Sequence, residues 1–334
     1  MPSPIPVTRL LPRDFRPSVE LGACSSPLFK NAGGSTLLVP TPTFRSKIAS
    51  RLWASVIHWN ELHCLEPLGS GGFGSVYKGQ YFDETVAVKK VKRCTKNKLA
   101  SRQSFWAELN AAHLRHKNLV RVIAATTNIP DNRDNADNIG TIIMELAGTR
   151  NLQQIIYGDV EPLVESRCLK FSIDIARGLQ YLHAHSIGHL DVKPANVIVS
   201  DTGVCKLADF GCSLKLEQSG DLSPLTTHLG GTYTHRAPEL LKGEDVTLKA
   251  DVYSFAITLW QLIARELPYT GDRQQILYAV VAYNLRPPVN GDRFGKSTFG
   301  QTCKALLTRC WNASPNQRPT AEKLLAELNM MQSC

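Results

Sequence analysis

The sequence predicts an α+β protein in which a strand-rich part is followed by a larger helical part. Apolar and polar residues alternate around a glycine-rich turn at 69–74 and again in Val86–Lys89, and such alternation is typical of half-buried strands. Residues 163–185 instead carry apolar side chains at helical spacing, and 252–264 form the most apolar run of the chain. The second part is therefore expected to pack helices around a core.

Composition excludes several classes of protein. Of the 334 residues, 43% are hydrophobic and 20% are charged, which is typical of a globular protein with a sizeable core. No stretch approaches the roughly 20 apolar residues that cross a bilayer, and Pro2, Pro4 and Pro6 interrupt the place where a signal peptide would be apolar. The nine cysteines form no C-x-x-C pair, so we expect reduced thiols in a cytoplasmic protein without a membrane partner.

The formal net charge of +9 is compatible with nucleic-acid binding, but its distribution favours a basic tail. Residues 1–60 hold seven Lys and Arg against two acidic residues, and no nucleic-acid-binding motif accompanies them. This segment is rich in Pro, Ser, Thr and Arg and lacks a sustained period, so we expect it to be disordered. Ser3, which precedes Pro4, is a candidate phosphorylation site within it.

A glycine-rich turn opens the periodic part of the chain. Gly69-Ser70-Gly71-Gly72-Phe73-Gly74 lies between β-prone segments and predicts a hairpin whose N–H groups can approach phosphates, because no Cβ intervenes. A dinucleotide-binding fold would begin a helix inside this motif, whereas β-prone residues follow it here. The turn alone is weakly specific, and the V-A-V-K strand ending at Lys89 makes the combination more specific.

The densest chemistry lies in His189–Asn196 and, shortly after, in Asp209-Phe210-Gly211. Two carboxylates, an ammonium and a carboxamide are the groups that phosphoryl transfer requires, since they can accept a hydroxyl proton, hold Mg²⁺ and offset phosphate charge. Together with the glycine turn and Lys89, these motifs resemble those of eukaryotic protein kinases over residues 62–330.

The resemblance implies the bilobal fold of the eukaryotic protein kinases. It predicts a small β-rich N-lobe at about 61–146 and a larger α-helical C-lobe at about 147–334, preceded by the tail at 1–60. It also implies ATP and Mg²⁺ as cofactors and a protein as substrate. We expect the enzyme to be a monomer.

The same resemblance assigns roles to individual residues. Asp191 is expected to accept the proton of the substrate hydroxyl, and Lys193 to steady the γ-phosphate. Asn196 and Asp209 are expected to hold Mg²⁺, and Lys89 to grip the ATP phosphates. The other residues expected around ATP are Leu68, Gly69, Ser70, Gly71, Gly72, Phe73, Gly74, Ser75, Val76, Ala87, Glu108, Met144, Glu145 and Ala147.

Three elements between the glycine turn and Met144 follow from the pattern. The sequence predicts a helix from Ser104 to Arg115, whose only acidic residue, Glu108, is the expected ion-pair partner of Lys89. Strands are predicted at 119–125 and 141–144.

Further motifs are implied to position the substrate and the segment after Asp209. Gly231–Glu239 resembles the end of a kinase activation segment, in which Thr232 lies beside the catalytic base. Arg318 is expected to pair with Glu239. The K-P-A-N sequence at 193–196 follows the serine/threonine kinase pattern rather than the tyrosine kinase one.

Leu190 departs from the family, which usually has an arginine there that binds a phosphate on the activation segment. Leucine cannot donate a hydrogen bond to a phosphate. We therefore expect activity not to depend on a phosphate held at this position.

Five segments resemble one group of serine/threonine kinases of vertebrate oocytes more closely. They are 94–102, 104–110, 189–191, 229–239 and 276–283. This closer resemblance implies a kinase of MAP kinase kinase that acts in meiotic maturation and metaphase arrest. Alternatives are a pseudokinase-like scaffold, a Ser/Thr kinase of another signalling cascade and, on charge alone, a nucleic-acid-binding protein.

Overall fold

A computed structural model describes residues 57–71, 74–92, 98–127, 138–161, 163–216 and 231–333. The predicted tail, apart from its last four residues, lies outside this part of the chain, as do Ser3, Gly72 and Phe73. The disorder of the tail and its phosphorylation site remain predictions.

The N-lobe is built on a five-stranded antiparallel sheet in the spatial order β1-β2-β3-β5-β4. Its strands are β1 Leu62–Gly71, β2 Gly74–Tyr81, β3 Glu84–Lys92, β4 Val122–Thr126 and β5 Asn138–Glu145. Along β3, Val86 and Val88 contribute to one hydrophobic cluster, whereas Ala87 and Val91 contribute to another on the opposite face. Because strand side chains alternate, Lys89 shares the face of Ala87 and Val91.

Helix α1, Lys98–Asn110, contributes Phe105 to the cluster on that second face. The predicted helix Ser104–Arg115 is wrong at both ends. Residues 98–103 are mostly good helix formers and extend the helix backwards. At the other end the helix stops at Asn110. Arg115 Nη1 donates to the carbonyls of Ala112 and Leu114 at 2.7 and 2.9 Å. In a continuing helix, backbone N–H groups would bond these carbonyls.

The strand predicted at 119–125 begins only at Val122, because the residues before it pair with the C-lobe. Leu207 N donates to Asn118 O and Val120 N donates to Leu207 O, both at 2.8 Å. β5 is longer than the predicted strand at 141–144. The segment between α1 and β4 is therefore hydrogen-bonded to the C-lobe.

The C-lobe is mainly helical. Its helices are α2 Leu152–Gly158, α3 Glu165–Ala184, α4 Pro238–Lys242, α5 Lys249–Ala264, α6 Arg273–Ala282, α7 Asp292–Gly295, α8 Thr298–Cys310 and α9 Ala321–Ser333. Its short strands are β6 Arg150–Asn151, β7 Ile187–Gly188, β8 Val197–Val199, β9 Cys205–Leu207 and β10 Leu214–Lys215. None of the described helices combines the length and apolar character needed to cross a membrane.

Helices α3 and α5 form the centre of the C-lobe core. The predicted apolar stripe of α3 is buried, and every residue of α5 from Ala250 to Ala264 is buried. Short strands β8 and β9 and the loop that precedes them lie against this core. The bilobal α+β fold predicted from the sequence is confirmed.

A buried ion pair connects the start of α4 to the segment before α9. Arg318 Nη1 and Nη2 donate to the two carboxylate oxygens of Glu239 at 2.6 and 2.7 Å, and both side chains are 2% exposed or less. Arg318 also donates to the carbonyls of Asn312 and Lys249. Such a bidentate pair has fixed geometry, so it sets where Glu239 and the start of α4 lie on the lobe.

We predict that Arg318→Met lowers the free energy of unfolding by about 3–5 kcal/mol, because it leaves the buried Glu239 carboxylate without its cation. Urea denaturation measures this loss. The matched control is Arg309→Met, which breaks a pair with Glu327 whose arginine side chain is 53% exposed, and should cost at most about 1 kcal/mol. Equal costs for the two variants would contradict the structural role of Glu239 and Arg318.

Candidate active site

Three charged side chains from separate elements meet between the lobes. Lys89 Nζ of β3 lies 2.5 Å from Glu108 Oε2 of α1 and 2.8 Å from Asp209 Oδ1. Lys89 is 7% exposed and Glu108 is 2% exposed. The structure thus brings together the lysine and the glutamate that the resemblance paired, and adds the aspartate.

Burial and mutual attraction oppose each other in this group. Desolvation alone would lower the pKa of Lys89, but the carboxylates of Glu108 and Asp209 raise that pKa well above its usual range. Burial raises the pKa of Glu108 despite the opposing charge of Lys89. For Asp209 the nearby lysine outweighs burial, so the pKa of Asp209 falls. A cationic lysine and an ionised Asp209 therefore coexist at neutral pH.

The backbone that follows Asp209 lies very close to helix α1, and this contact holds Asp209 in place. Asp209 has a left-handed backbone with φ 62°, and Phe210 is buried with its ring 5.2 Å from that of His189. At Gly211, a Cβ would lie only 2.2 Å from Ser104 Oγ of α1. Glycine there allows α1 to approach closely enough for Glu108 to reach Lys89.

Asp191 lies at the centre of a second hydrogen-bond network. Lys193 Nζ donates to Asp191 Oδ2 at 2.8 Å and to Thr232 Oγ1 at 2.5 Å. Asn196 Nδ2 donates to Asp191 Oδ2 at 2.9 Å, and Thr232 N donates to Asp191 Oδ1 at 2.9 Å. An ionised carboxylate has about four acceptor sites, so these three donors fix its orientation and leave capacity for a substrate hydroxyl.

Asp251, in the first turn of α5, holds the loop that carries Asp191. Asp251 Oδ2 accepts from His189 N at 2.8 Å and bonds His183 Nε2 at 2.9 Å, and its Oδ1 accepts from Leu190 N at 2.7 Å. Burial alone would raise the pKa of Asp251, but the hydrogen bond and charge of His183, with further contributions, lower it. These bonds hold Leu190 at φ 62°, a left-handed conformation that is unfavourable for leucine.

Sequence reasoning missed Asp251 as part of the site. An acidic residue in the first turn of a helix is ordinarily explained by the helix dipole. The available signal was that Asp251 is the only acidic residue in α5 and is surrounded by apolar residues, which indicates a buried carboxylate that needs partners.

Apolar side chains of both lobes pack together beside the charged groups. Ala87 and Met144 pair across β3 and β5 and belong to a hydrophobic cluster that also includes Val76 from the N-lobe and Ile198 and Ala208 from the C-lobe. Apolar side chains of this kind would suit the flat face of a nucleotide base. Ile198 and Ala208 were not predicted as part of the site. Ile198 is the middle residue of β8, so strand alternation places it on the face opposite to the two buried valines.

The chain crosses between the lobes after Glu145. Lys206 Nζ donates to Glu145 Oε1 and Oε2 at 2.8 and 2.9 Å, and Arg121 N donates to Glu145 Oε1 at 2.9 Å. The Glu145 N–H donates to Arg121 O, so a contact with a nucleotide would come from its carbonyl. Ala147 follows and packs against the same hydrophobic cluster.

The glycine turn is a hairpin, as the sequence predicts. Gly69 pairs with Val76, Ser70 with Ser75 and Gly71 with Gly74, and Leu68 is 44% exposed. A Cβ on Gly74 would lie 2.2 Å from Lys90 O, so glycine is needed for β2 to approach β3. The tip at Gly72 and Phe73 lies outside the described residues.

Two oxygen atoms remain for a metal ion. The Nδ2 of Asn196 is engaged with Asp191, which leaves its Oδ1, and Lys89 occupies Oδ1 of Asp209, which leaves the second carboxylate oxygen. Within the described ranges no cluster of three or more His, Cys, Asp or Glu could hold a metal. Mg²⁺, however, typically uses one or two protein oxygens and completes its shell with phosphates and water, so these residues fit it.

Comparison with known proteins gives a consistent family. Residues 62–328 match the family model described as Protein kinase domain. The serine/threonine-protein kinase mos of Xenopus laevis is 54% identical over 340 residues, which cover 98% of this chain and 92% of the relative. The proto-oncogene serine/threonine-protein kinases mos of Sus scrofa and Mus musculus are 50% and 48% identical, and the aligned parts cover 99% and 98% of those relatives.

Proposed function

Because the chain belongs to the protein kinase family and is a serine/threonine protein kinase similar to the Mos kinases, we propose that it acts on MAP kinase kinase. In this role it is a monomeric, cytoplasmic MAP kinase kinase kinase of oocyte meiotic maturation and metaphase arrest. The near full-length similarity to Mos supports the assignment.

The observation that carries the catalytic part of the proposal is the fixed position of Asp191. Its carboxylate is oriented by Lys193, Asn196 and Thr232 and is only 7% exposed. In our proposal Asp191 accepts a hydrogen bond from the substrate hydroxyl and takes its proton as that oxygen bonds to the γ-phosphorus, while the bond from this phosphorus to the bridging oxygen breaks and ADP leaves. Thr232 and Lys193 keep the carboxylate facing the hydroxyl.

The groups around Lys89 position the nucleotide. When bound, ATP supplies the phosphoryl group and Mg²⁺ offsets its charge. Lys89 would contact the α- and β-phosphates while Glu108 keeps it in place, and Lys193 would contact the γ-phosphate. Asn196 Oδ1 and the second oxygen of Asp209 would hold the metal.

We predict that the purified protein, given MgATP, phosphorylates inactive full-length MAP kinase kinase on serine or threonine. Lys89→Met should abolish this labelling, because the phosphates lose their cation. Lys90→Met is the matched control, since Lys90 is the next residue on β3 and its ammonium lies over the Tyr77 ring. Phosphosite mapping with radiolabelled ATP measures the result.

Two outcomes of this experiment would contradict different parts of the proposal. Robust labelling of casein without labelling of MAP kinase kinase would remove the cascade role and leave a kinase of another pathway. Equal labelling by wild type and Lys89→Met would contradict the assigned role of Lys89.

Leu190 supports a proposal about regulation. Its side chain is 6% exposed and packs in the C-lobe core, so it offers no donor to a phosphate on the activation segment. Activity should therefore not require such a phosphate.

We predict that phosphatase-treated protein keeps the kcat of untreated protein on MAP kinase kinase. The quadruple variant Ser219→Ala, Ser223→Ala, Thr226→Ala and Thr227→Ala, which removes every Ser and Thr of residues 217–230, should behave alike, because Leu190 can bind no phosphate. Steady-state kinetics test both. Loss of activity that rephosphorylation restores would overturn the proposal.

A further inference from the structure

His235 is a buried titratable side chain that the proposed chemistry does not use. It is 6% exposed, and burial lowers the pKa of its ring to about 4. Both ring nitrogens have partners, since Nε2 lies 2.6 Å from Gln261 Oε1 and Nδ1 lies 3.0 Å from Thr234 Oγ1. At neutral pH the ring is therefore uncharged, so one nitrogen donates a hydrogen bond and the other accepts one.

A backbone carbonyl sets the direction of the hydrogen bonds that reach His235. Glu266 O can only accept, so the Tyr157 hydroxyl donates to it at 3.0 Å. The Tyr157 oxygen accepts from Gln261 Nε2 at 2.7 Å, which turns Gln261 Oε1 towards the histidine. Because this amide oxygen can only accept, His235 carries its proton on Nε2, and Nδ1 accepts from the Thr234 hydroxyl. Tyr157, Gln261 and His235 thus form a relay of hydrogen bonds with a single direction.

The relay connects separate elements of the C-lobe. Tyr157 belongs to α2 and is 38% exposed, whereas Gln261 belongs to α5 and is 4% exposed. The backbone of His235 is held by the same helix, because Ser254 Oγ of α5 donates to His235 O at 2.8 Å. Both the ring and the backbone of His235 are therefore fixed to α5.

The backbone of His235 in turn holds Thr232. His235 N donates to Thr232 O at 3.0 Å, and Thr232 N donates to Asp191 Oδ1 at 2.9 Å. The Thr232 hydroxyl accepts from Lys193 Nζ at 2.5 Å. A movement of His235 would thus displace a donor that orients the Asp191 carboxylate, and a misplacement of about 1 Å at a reacting group can lower the rate about 100-fold.

We propose that His235 is a positioning residue of the kinase reaction, which keeps Thr232 against the Asp191 carboxylate. Gln261 and Tyr157 fix its ring. The inference rests on the proposed role of Asp191 as the base. The relay acts through geometry and not through proton transfer, because both nitrogens of the His235 ring are engaged within the protein.

Substitutions of Gln261 separate its hydrogen bonds from its volume. Gln261→Met keeps the volume but leaves the His235 Nε2–H buried without an acceptor, so kcat on casein should fall about tenfold. KM for ATP should stay within about twofold, because the ion pair of Lys89 and Glu108 is a separate site. Gln261→Glu still accepts from His235 and Tyr157, and its kcat should stay within about threefold of wild type, since only the bond to the backbone carbonyl is lost.

Each kcat is expressed per nucleotide-binding site, counted with a non-hydrolysable ATP analogue, so that unfolded protein does not contribute. The control for Gln261→Met is Thr258→Val, which keeps its volume and removes a buried hydroxyl that donates to a backbone carbonyl within α5. This control should keep the kcat of wild type.

Tyr157→Phe tests the exposed end of the relay. Without the hydroxyl, the Gln261 amide loses the partner that orients it, so kcat should fall about threefold, the equivalent of one hydrogen bond. The matched control is Tyr269→Phe, which removes a hydroxyl that donates to a backbone carbonyl at 3.5 Å in the same lobe. This variant should keep the kcat of wild type.

Nitrogen-15 NMR of protein labelled at histidine tests the direction of the bonds. The signals of His235 are identified as those that His235→Asn lacks. At neutral pH they should be those of an uncharged ring with its proton on Nε2.

Four results would overturn the proposal. Gln261→Met could keep the kcat of wild type, or the methionine and glutamate variants could lose kcat equally, which would assign the loss to packing. Tyr157→Phe could keep the kcat of wild type. The NMR signals could show His235 protonated at Nδ1 or charged. If Asp191→Asn keeps the kcat of wild type, the proposed role of Asp191 fails first, and the inference fails with it. The use of casein as acceptor separates both from the assignment to MAP kinase kinase.

Discussion

A buried lysine that faces two carboxylates is the constraint on which the rest of the structure depends. Lys89, Glu108 and Asp209 come from the N-lobe sheet, from α1 and from the C-lobe, and they meet within 2.8 Å of Nζ. Burying these charges carries a large desolvation cost, and removing one partner of such a group is strongly destabilising. The ionised Asp209 keeps a second carboxylate oxygen that Lys89 does not occupy, which suits a divalent cation.

Several features that look independent follow from this meeting point. The register of β3 places Lys89 on the face towards α1, and Gly140 allows the approach of Phe105, whose ring would lie 2.3 Å from a Cβ there. Gly211 brings Asp209 under the same helix. On the other side of the cleft, Asp251 fixes the loop of Asp191 to the most buried helix of the C-lobe. Rigid elements on both sides of the cleft thus hold the charged groups at the distances over which they attract one another.

The sequence predicted the candidate site residues better than it predicted the ends of helices and strands or the side chains that hold the site residues in place. Lys89, Asp191 and Asp209 were identified because few other folds need these groups in this order. The start of α1 was missed although the helix formers at 98–103 are a local signal. Its end was missed because backbone hydrogen bonds of Asn118 and Val120 with Leu207 of β9 draw the chain away from the helix. These are tertiary contacts, which local patterns do not contain. The sequence also did not predict which side of α6 is exposed. Apolar residues lie on all sides of this helix, so their spacing does not indicate which side packs on the lobe.

A crystal structure with Mg²⁺ and a non-hydrolysable ATP analogue tests the central claim most directly. The account predicts the metal on Asn196 Oδ1 and Asp209, with Lys89 contacting the α- and β-phosphates and still paired with Glu108. A nucleotide bound with Lys89 turned away from its phosphates, or a metal bound by neither Asn196 nor Asp209, would contradict it.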